Sequence, residues 1–135
     1  RKQSRKEKAA APQPLHFRST DGFDIYVGRS NKQNDHLTLK LAQSGDIWLH
    51  TKAVPGSHVI IKRNGRDIPD KTIEEAAILA AWHSKARMSS NVQVDYTAAK
   101  NVSKPSGAKP GMVIYVNYRT IVVTPDKNAV DSLKV

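Results

Sequence analysis

The chain has no cysteine among its 135 residues, which excludes a disulfide framework and any thiolate-ligated metal. It has no apolar run near the ~18 residues that a membrane-spanning helix requires. The basic start, Arg1 to Lys8, leads only into Ala9-Ala10-Ala11-Pro12, too short and too polar for a signal-peptide core. Catalytic signatures are missing as well. There is no Gly-x-Ser-x-Gly elbow, no Walker-type phosphate loop and no His-x-x-x-His pair. Acidic residues are scarce, with 12 Asp and Glu against 22 Lys and Arg. The lack of cysteine fits a reducing compartment, and a start at Arg1 reads as a piece of a longer protein.

What is present is charge. The formal net charge is +10, of which the first eight residues supply +4, from five cations against Glu7. The remaining +6 favours polyanionic partners, nucleic acid first and anionic membrane second. The plain alternative is a solubilising surface without a partner. Between Lys85 and Arg119 six basic residues face only Asp95, a local imbalance of +5 that suits an anion-binding face better than an even coat.

A length of 135 residues fits one domain with its own core. Residues 1–14 read as a linker or the end of a preceding helix, closed by Pro12 and Pro14. Strands over His16–Thr20 and Phe23–Val27 flank Asp21-Gly22, a two-residue hairpin signal. Ser30 or Asn31 can cap a helix reaching about Leu41. A strand over 46–51 follows, then Val54-Pro55-Gly56-Ser57 as a type II turn and a strand over Ser57–Lys62. The clearest helix covers about 71–88. It carries a Thr72-to-Glu75 capping-box pattern, a small-residue stripe including Ala76, Ala77, Ala80 and Ala81, and Lys85 and Arg87 in its last turn. Val92–Thr97 alternates as a strand, and Lys100–Gly111 is a Pro/Gly/Lys loop. Met112–Val116 and Thr120–Val123 make a final hairpin around Asn117-Tyr118. Pro125 ends the domain, and 126–135 is a polar tail. The expectation is a single α+β domain, a mainly antiparallel sheet built from hairpins with two packed helices.

Three segments could carry function. In Asp46-Ile47-Trp48-Leu49-His50, strand alternation turns Ile47 and Leu49 to a core and sets Asp46, Trp48 and His50 in one row. The row can be a recognition strip, with Trp48 stacking on a base and His50 meeting a phosphate. It can be an Asp–His acid/base pair, which lacks a nucleophile beside it. Or it can be structural, with Trp48 covered and Asp46 closing the turn after Gly45. His50 and His58 would lie near one another across the strand pair, but a metal needs three or four ligands, and none is expected. The loop with Lys100, Lys104 and Lys109 offers cations and open backbone to phosphate, or is a solvated surface loop. Val27-Gly28-Arg29-Ser30-Asn31-Lys32-Gln33-Asn34-Asp35 combines a close-approach glycine, a helix start and the donors Arg29, Asn31 and Lys32, or is an ordinary capped turn.

Together these segments resemble the NFACT-R domain, the C-terminal RNA-binding module of the bacterial RqcH or fibronectin-binding protein A family. The resemblance rests on Val27–Asp35, Asp46–His50, Pro55–Ile61, Glu75–Ala81 and Lys104–Gly111, in that order, and runs from about Phe17 to Pro125. Ser30 stands where Asn is expected in many members; it still caps and donates. The resemblance implies an RNA-binding domain over 15–125, with 1–14 as the end of a coiled-coil arm and 126–135 as a tail. It implies tRNA and the large ribosomal subunit as partners, recruitment of alanyl-tRNA for alanine tailing of stalled nascent chains, and chemistry left to the ribosome rather than to the domain. The location implied is cytoplasmic, with cell-surface exposure and fibronectin binding as the family's other claim. No cofactor, no membrane and a monomeric domain are expected. The residues carried over as RNA contacts are Arg29, Asn31, Lys32, Asn34, Asp46, Trp48, His50, Lys52, His58, Lys100, Lys104 and Lys109.

Overall fold

The computed structural model describes residues 12–135; the basic start, read as a linker or arm end, lies outside the described residues up to residue 11. The first hairpin joins β1 (Leu15–Arg18) to β2 (Asp24–Val27), antiparallel. Its loop has three residues rather than two. Ser19 N–H donates to the Phe23 carbonyl at 2.9 Å, and Gly22 takes φ +87°, the left-handed position that such a loop needs.

Ser30 caps α1 (Asn31–His36), its side chain accepting from the Gln33 N–H. The helix then widens into a π-helical turn over Leu37–Leu41. Asn34 and Thr38, poor helix formers, point inward and are 3% and 5% exposed. Their polar ends bond to the sheet, which offsets their weak propensity.

The sheet has six strands, every neighbouring pair antiparallel, in the order β1, β2, β4 (Val59–Ile61), β3 (Ile47–Thr51), β5 (Val92–Ala98) and β8 (Arg119–Val123). Its centre is β3 and β4, with β5 beside β3 and β8 at the edge. Between β3 and β4 the positive φ falls at Ala53 (56°) and not at Gly56, so the expected type II turn is replaced by a wider loop.

The long helix, α2, is Asp70–Trp82, with Pro69 at the N-cap position and no side-chain cap. It stops six residues short of the expected end, and Lys85 and Arg87 lie in the loop beyond it. The capping box is also corrected. Thr72 Oγ1 donates to Ser19 Oγ, and Glu75 accepts from the Thr20 N–H and Oγ1, so both side chains tie the helix to the first hairpin. The expected hairpin of 112–116 with 120–123 does not form. Instead β7 (Ile114–Tyr115) pairs with β6 (Val102–Ser103) as a separate ribbon, and β8 pairs with β5. The polar tail contains α3 (Lys127–Ser132), and Val130 and Leu133, 2% and 4% exposed, close one end of the core. Among the described residues no helix is long and apolar enough to cross a membrane.

Alternation along the strands gives the sheet two different faces. Ile25, Val27, Leu49, Val59, Ile61 and Val94 pack with the alanines of α2 in the main core. On the other face Trp48, Ile60, Leu37 and Val102 form a second, smaller cluster, with Tyr26, Val113 and Tyr115 against it.

Candidate functional site

Asp46, Trp48 and His50 do share the second face: the Trp48 and His50 rings are 7° from parallel, with centroids 6.0 Å apart. They do not form an exposed strip. Trp48 is 1% exposed, held edge-on to His58 at 5.5 Å and against Tyr115 at 4.6 Å. A base cannot stack on a covered indole, so that expectation is corrected; the α1 π-turn and the β6–β7 ribbon, joined to the strand only through tertiary structure, supply the cover. Trp48 Nε1 finds no acceptor among the described residues.

Asp46 is also buried, at 1% exposure. One carboxylate oxygen accepts from the Gln43 N–H at 2.8 Å and from Lys62 Nζ at 2.6 Å, the other from the Arg63 N–H at 2.8 Å. Its oxygens are committed to the fold, which is the structural alternative stated above, extended by Lys62.

His50 and His58 meet edge to face, centroids 5.6 Å apart. His58 Nε2 lies 3.1 Å from the Gly111 carbonyl, which can only accept, so Nε2 carries the proton. Nδ1 then accepts from Thr38 Oγ1 at 2.7 Å. Burial pulls the His58 pKa down to about 4, helped by the neighbouring His50. Burial likewise lowers that of His50, opposed by backbone groups of Thr51 and Gly56 and by Asp95. Both rings are therefore neutral near pH 7. Asn34 Oδ1 accepts the His58 backbone N–H at 3.1 Å, and Gly28 makes room for it: a Cβ there would sit 1.9 Å from that oxygen.

Two of the lysines expected at the site are engaged elsewhere. Lys52 Nζ reaches Asp95 at 3.1 Å and lies 4.7 Å from the Tyr118 ring centre. Asp95 is fully buried and also accepts from Tyr115 OH and Thr120 Oγ1. Burial and this carboxylate push the Tyr115 phenol well above its usual range. Lys104 Nζ pairs with Asp35 at 3.2 Å and bonds the carbonyl of Met112, which pins the 104–112 loop to α1. Lys32, Lys100 and Lys109 are exposed but line neither of the two concavities described next.

Those concavities adjoin. A cavity of about 530 Å³ is lined by Trp48, His50, His58, Val54, Met112 and Tyr115, among others. A broader groove is lined by Arg29, Ser30, Ser57, Ser84, Lys85 and Arg87, among others. Asn31, Pro55 and Gly56 line both. The Arg29–Asn31, Trp48–His50 and Pro55–His58 segments singled out in the sequence thus converge, whereas the lysines of the 100–109 loop stay outside. Sequence reasoning missed Lys85 and Arg87 as site residues. Their signal was the carboxylate-poor stretch from residue 85, obscured by assigning them to a helix end. Arg87 stacks over Trp82 at 4.4 Å and donates from Nε to the Trp82 carbonyl at 2.7 Å, which fixes its position. Among the described residues no group of three or more His, Asp or Glu could hold a metal.

Comparison with known proteins places this arrangement. A family model described as the NFACT protein RNA binding domain matches residues 13–117. The chain is 49% identical over 133 residues to the Rqc2 homolog RqcH of Bacillus subtilis, covering 98% of this chain and 23% of that protein. It is 47% identical over 123 residues to the Rqc2 homolog RqcH of Streptococcus suis, covering 90% of this chain and 22% of that protein. It thus spans under a quarter of the length of these curated relatives. Among solved structures, the C-terminal part of the fibronectin/fibrinogen-binding protein from Streptococcus suis superposes with a TM-score of 0.89 at 45% identity, covering 94% of this chain and 51% of that one. The chain belongs to the NFACT RNA-binding domain family.

Proposed function

We propose that this domain binds RNA along the groove of Arg29, Lys85 and Arg87, as the positioning module of a ribosome-associated quality control factor acting in the cytoplasm. One observation carries the reading: three cationic side chains line the groove and no carboxylate does. Phosphate contacts of this kind fix register and orientation. The tRNA and ribosomal RNA of a stalled large subunit are the RNAs in view, with alanyl-tRNA recruitment for alanine tailing as the wider role. That context comes from the RqcH relatives and from mouse ribosome quality control complex subunit NEMF, 32% identical over 73 residues, covering 53% of this chain and 7% of that protein. The domain is proposed to orient RNA without itself catalysing. In support, the carboxylates of Asp46 and Asp95 and both ring nitrogens of His58 are already committed to internal hydrogen bonds.

A second reading, contact with fibronectin, draws on the name of the Streptococcus suis structure and on an exposed apolar set, Met112, Ile114, Val116, Tyr118 and Val122. Salt separates the two. Binding of labelled tRNA through the three groove cations should weaken about twentyfold to fortyfold between 50 and 200 mM salt, while binding of a fibronectin fragment through apolar residues should change little. A salt-insensitive tRNA affinity would count against the groove.

A further inference from the structure

One short run of backbone, Pro55-Gly56-Ser57-His58, is hydrogen-bonded to both cationic walls of the groove. On one side, the Gly28 N–H donates to the His58 carbonyl at 3.0 Å, and the His58 N–H donates to Asn34 Oδ1 at 3.1 Å. These bonds hold the residue before Arg29 and the helix after it, and the Arg29 N–H itself donates to Gln33 Oε1 at 2.7 Å. On the other side, the Ser57 N–H donates to the His83 carbonyl and the Lys85 N–H to the Pro55 carbonyl, each at 3.0 Å. Gly56 and Ser84 face one another there as an isolated antiparallel bridge. No other backbone hydrogen bond among the described residues joins 83–87 to the β-sheet or its loops. Arg87 belongs to the same loop, its N–H donating to the Ser84 carbonyl at 3.3 Å.

The strip approaches both walls closely, and a glycine permits it each time. Gly28 leaves room for Asn34 Oδ1 on the first side, as described above. On the second side, a Cβ at Gly56 would lie 2.8 Å from Ser84 Cβ, 3.1 Å from Thr51 Oγ1 and 3.2 Å from the His83 carbonyl oxygen. Ser84 cannot swing aside. Its Cβ is fixed to the backbone, and its Oγ donates to the Ala81 carbonyl at 2.8 Å and accepts from the Ala86 N–H at 3.0 Å. A side chain at position 56 therefore has to push 83–85 away from the strip. Gly56 is not among the glycines with positive φ, so the constraint is space and not backbone conformation.

We infer that Gly56 is a positioning residue for RNA: by letting the 55–57 strip press against 83–85, it sets the spacing of Lys85 and Arg87 from Arg29. The groove then presents its three cations as one preformed array of phosphate contacts. The inference rests on the RNA-binding reading above and deepens it. Phosphate contacts fix register only when their own spacing is fixed, and an array assembled in advance avoids the cost of ordering a loop on binding. Gly56 acts here through Lys85 and Arg87 rather than by touching RNA.

The test is the salt dependence of labelled tRNA binding by the 135-residue chain and by Gly56→Ala, a substitution that removes no charge. With Lys85 and Arg87 displaced, binding should weaken roughly tenfold or more near 0.1 M salt, and the log–log slope should become shallower by about 1.4–1.8. Gly56→Ala/Ser84→Gly takes away the atom that the new methyl group meets, and should recover the affinity and slope of Ser84→Gly alone. A folded Gly56→Ala chain with unaltered affinity and slope would overturn the inference, as would a loss that Ser84→Gly does not rescue. Hydrogen exchange on the unaltered chain keeps the inference open to refutation if Gly56→Ala fails to fold. The Ser57 and Lys85 amides should be protected to the same degree with and without tRNA. Fast exchange that slows only when tRNA is added would mean that the groove assembles on binding, and would overturn the preformed array while leaving the RNA-binding reading in place. Salt-insensitive tRNA binding, or none, by the unaltered chain would overturn both.

Discussion

On one side of the sheet, Ile25, Leu49, Val59, Ile61 and Val94 meet Ala76, Ala77, Ala80 and Ala81 of α2, a closed core of aliphatic side chains. On the other, the same strands present Trp48, His58, Asp46, Asp95 and Thr97, all buried and mostly hydrogen-bonded, beside a cavity. The strand pattern is one and the same, shifted by a single residue. The aliphatic face needs only volume and can be closed by small residues on one helix. The polar face needs partners for every buried donor and acceptor, and these come from distant segments: Lys62, Tyr115, Thr38 and Gly111. The cavity lies on this polar face.

The largest expected effect comes from removing the buried carboxylate at the foot of the polar face. Asp46→Ala strands Lys62 Nζ and the N–H groups of Gln43 and Arg63 and should cost about 3–5 kcal/mol in denaturant unfolding. A loss below about 1 kcal/mol would mean that this face is held by its aromatic packing alone. On the aliphatic face Leu49→Ala should cost about 2–5 kcal/mol. Because Leu49 is fully buried in the main core, RNA affinity per folded molecule should stay unchanged; a loss of affinity would show that the two faces are not independent.

Acid should weaken the fold through the polar face. His58 titrates at about 4 in the folded chain against an ordinary 6.5. As pH falls, the unfolded chain takes up that proton first. The stabilisation is therefore complete above pH 6.5 and is lost between 6.5 and 4, amounting to about 3 kcal/mol over the window. His50 and His83, both lowered mainly by burial, act in the same direction. The slope of stability against pH should flatten in His58→Gln; an unchanged slope would assign the acid sensitivity to other groups.

Much of this contrast was legible in the sequence. Alternation at 46–51 correctly put Ile47 and Leu49 on one face and Asp46, Trp48 and His50 on the other, and His50 near His58. The first hairpin, the Ser30-capped helix and the alanine stripe of α2 followed from local signals, because turns, caps and periodicity are local. What covers the second face was not legible. Met112–Val116 and Thr120–Val123 both read as strands around a turn, yet β7 pairs with β6 and β8 with β5. Strand partners are chosen by which side chains become buried, a non-local matter. The same limit hid α3, whose Val130 and Leu133 are only two apolar anchors in a polar tail. It also made Trp48 look available for stacking. Lys52 and Lys104 looked free because their partners, Asp95 and Asp35, lie 43 and 69 residues away in the chain.

The smallest effects are those of single cations at the groove, and they bear on the central claim. Arg29 and Lys85 pair with no carboxylate among the described residues, so their removal should leave stability within about 0.5 kcal/mol. The decisive measurement is the dependence of tRNA affinity on salt for the unaltered chain and for the Arg29→Ala/Lys85→Ala pair. The groove predicts weaker binding by the variant and a log–log slope shallower by about 1.4–2, near one unit per lost cation. Equal slopes and equal affinities would place RNA elsewhere on the molecule and contradict the account.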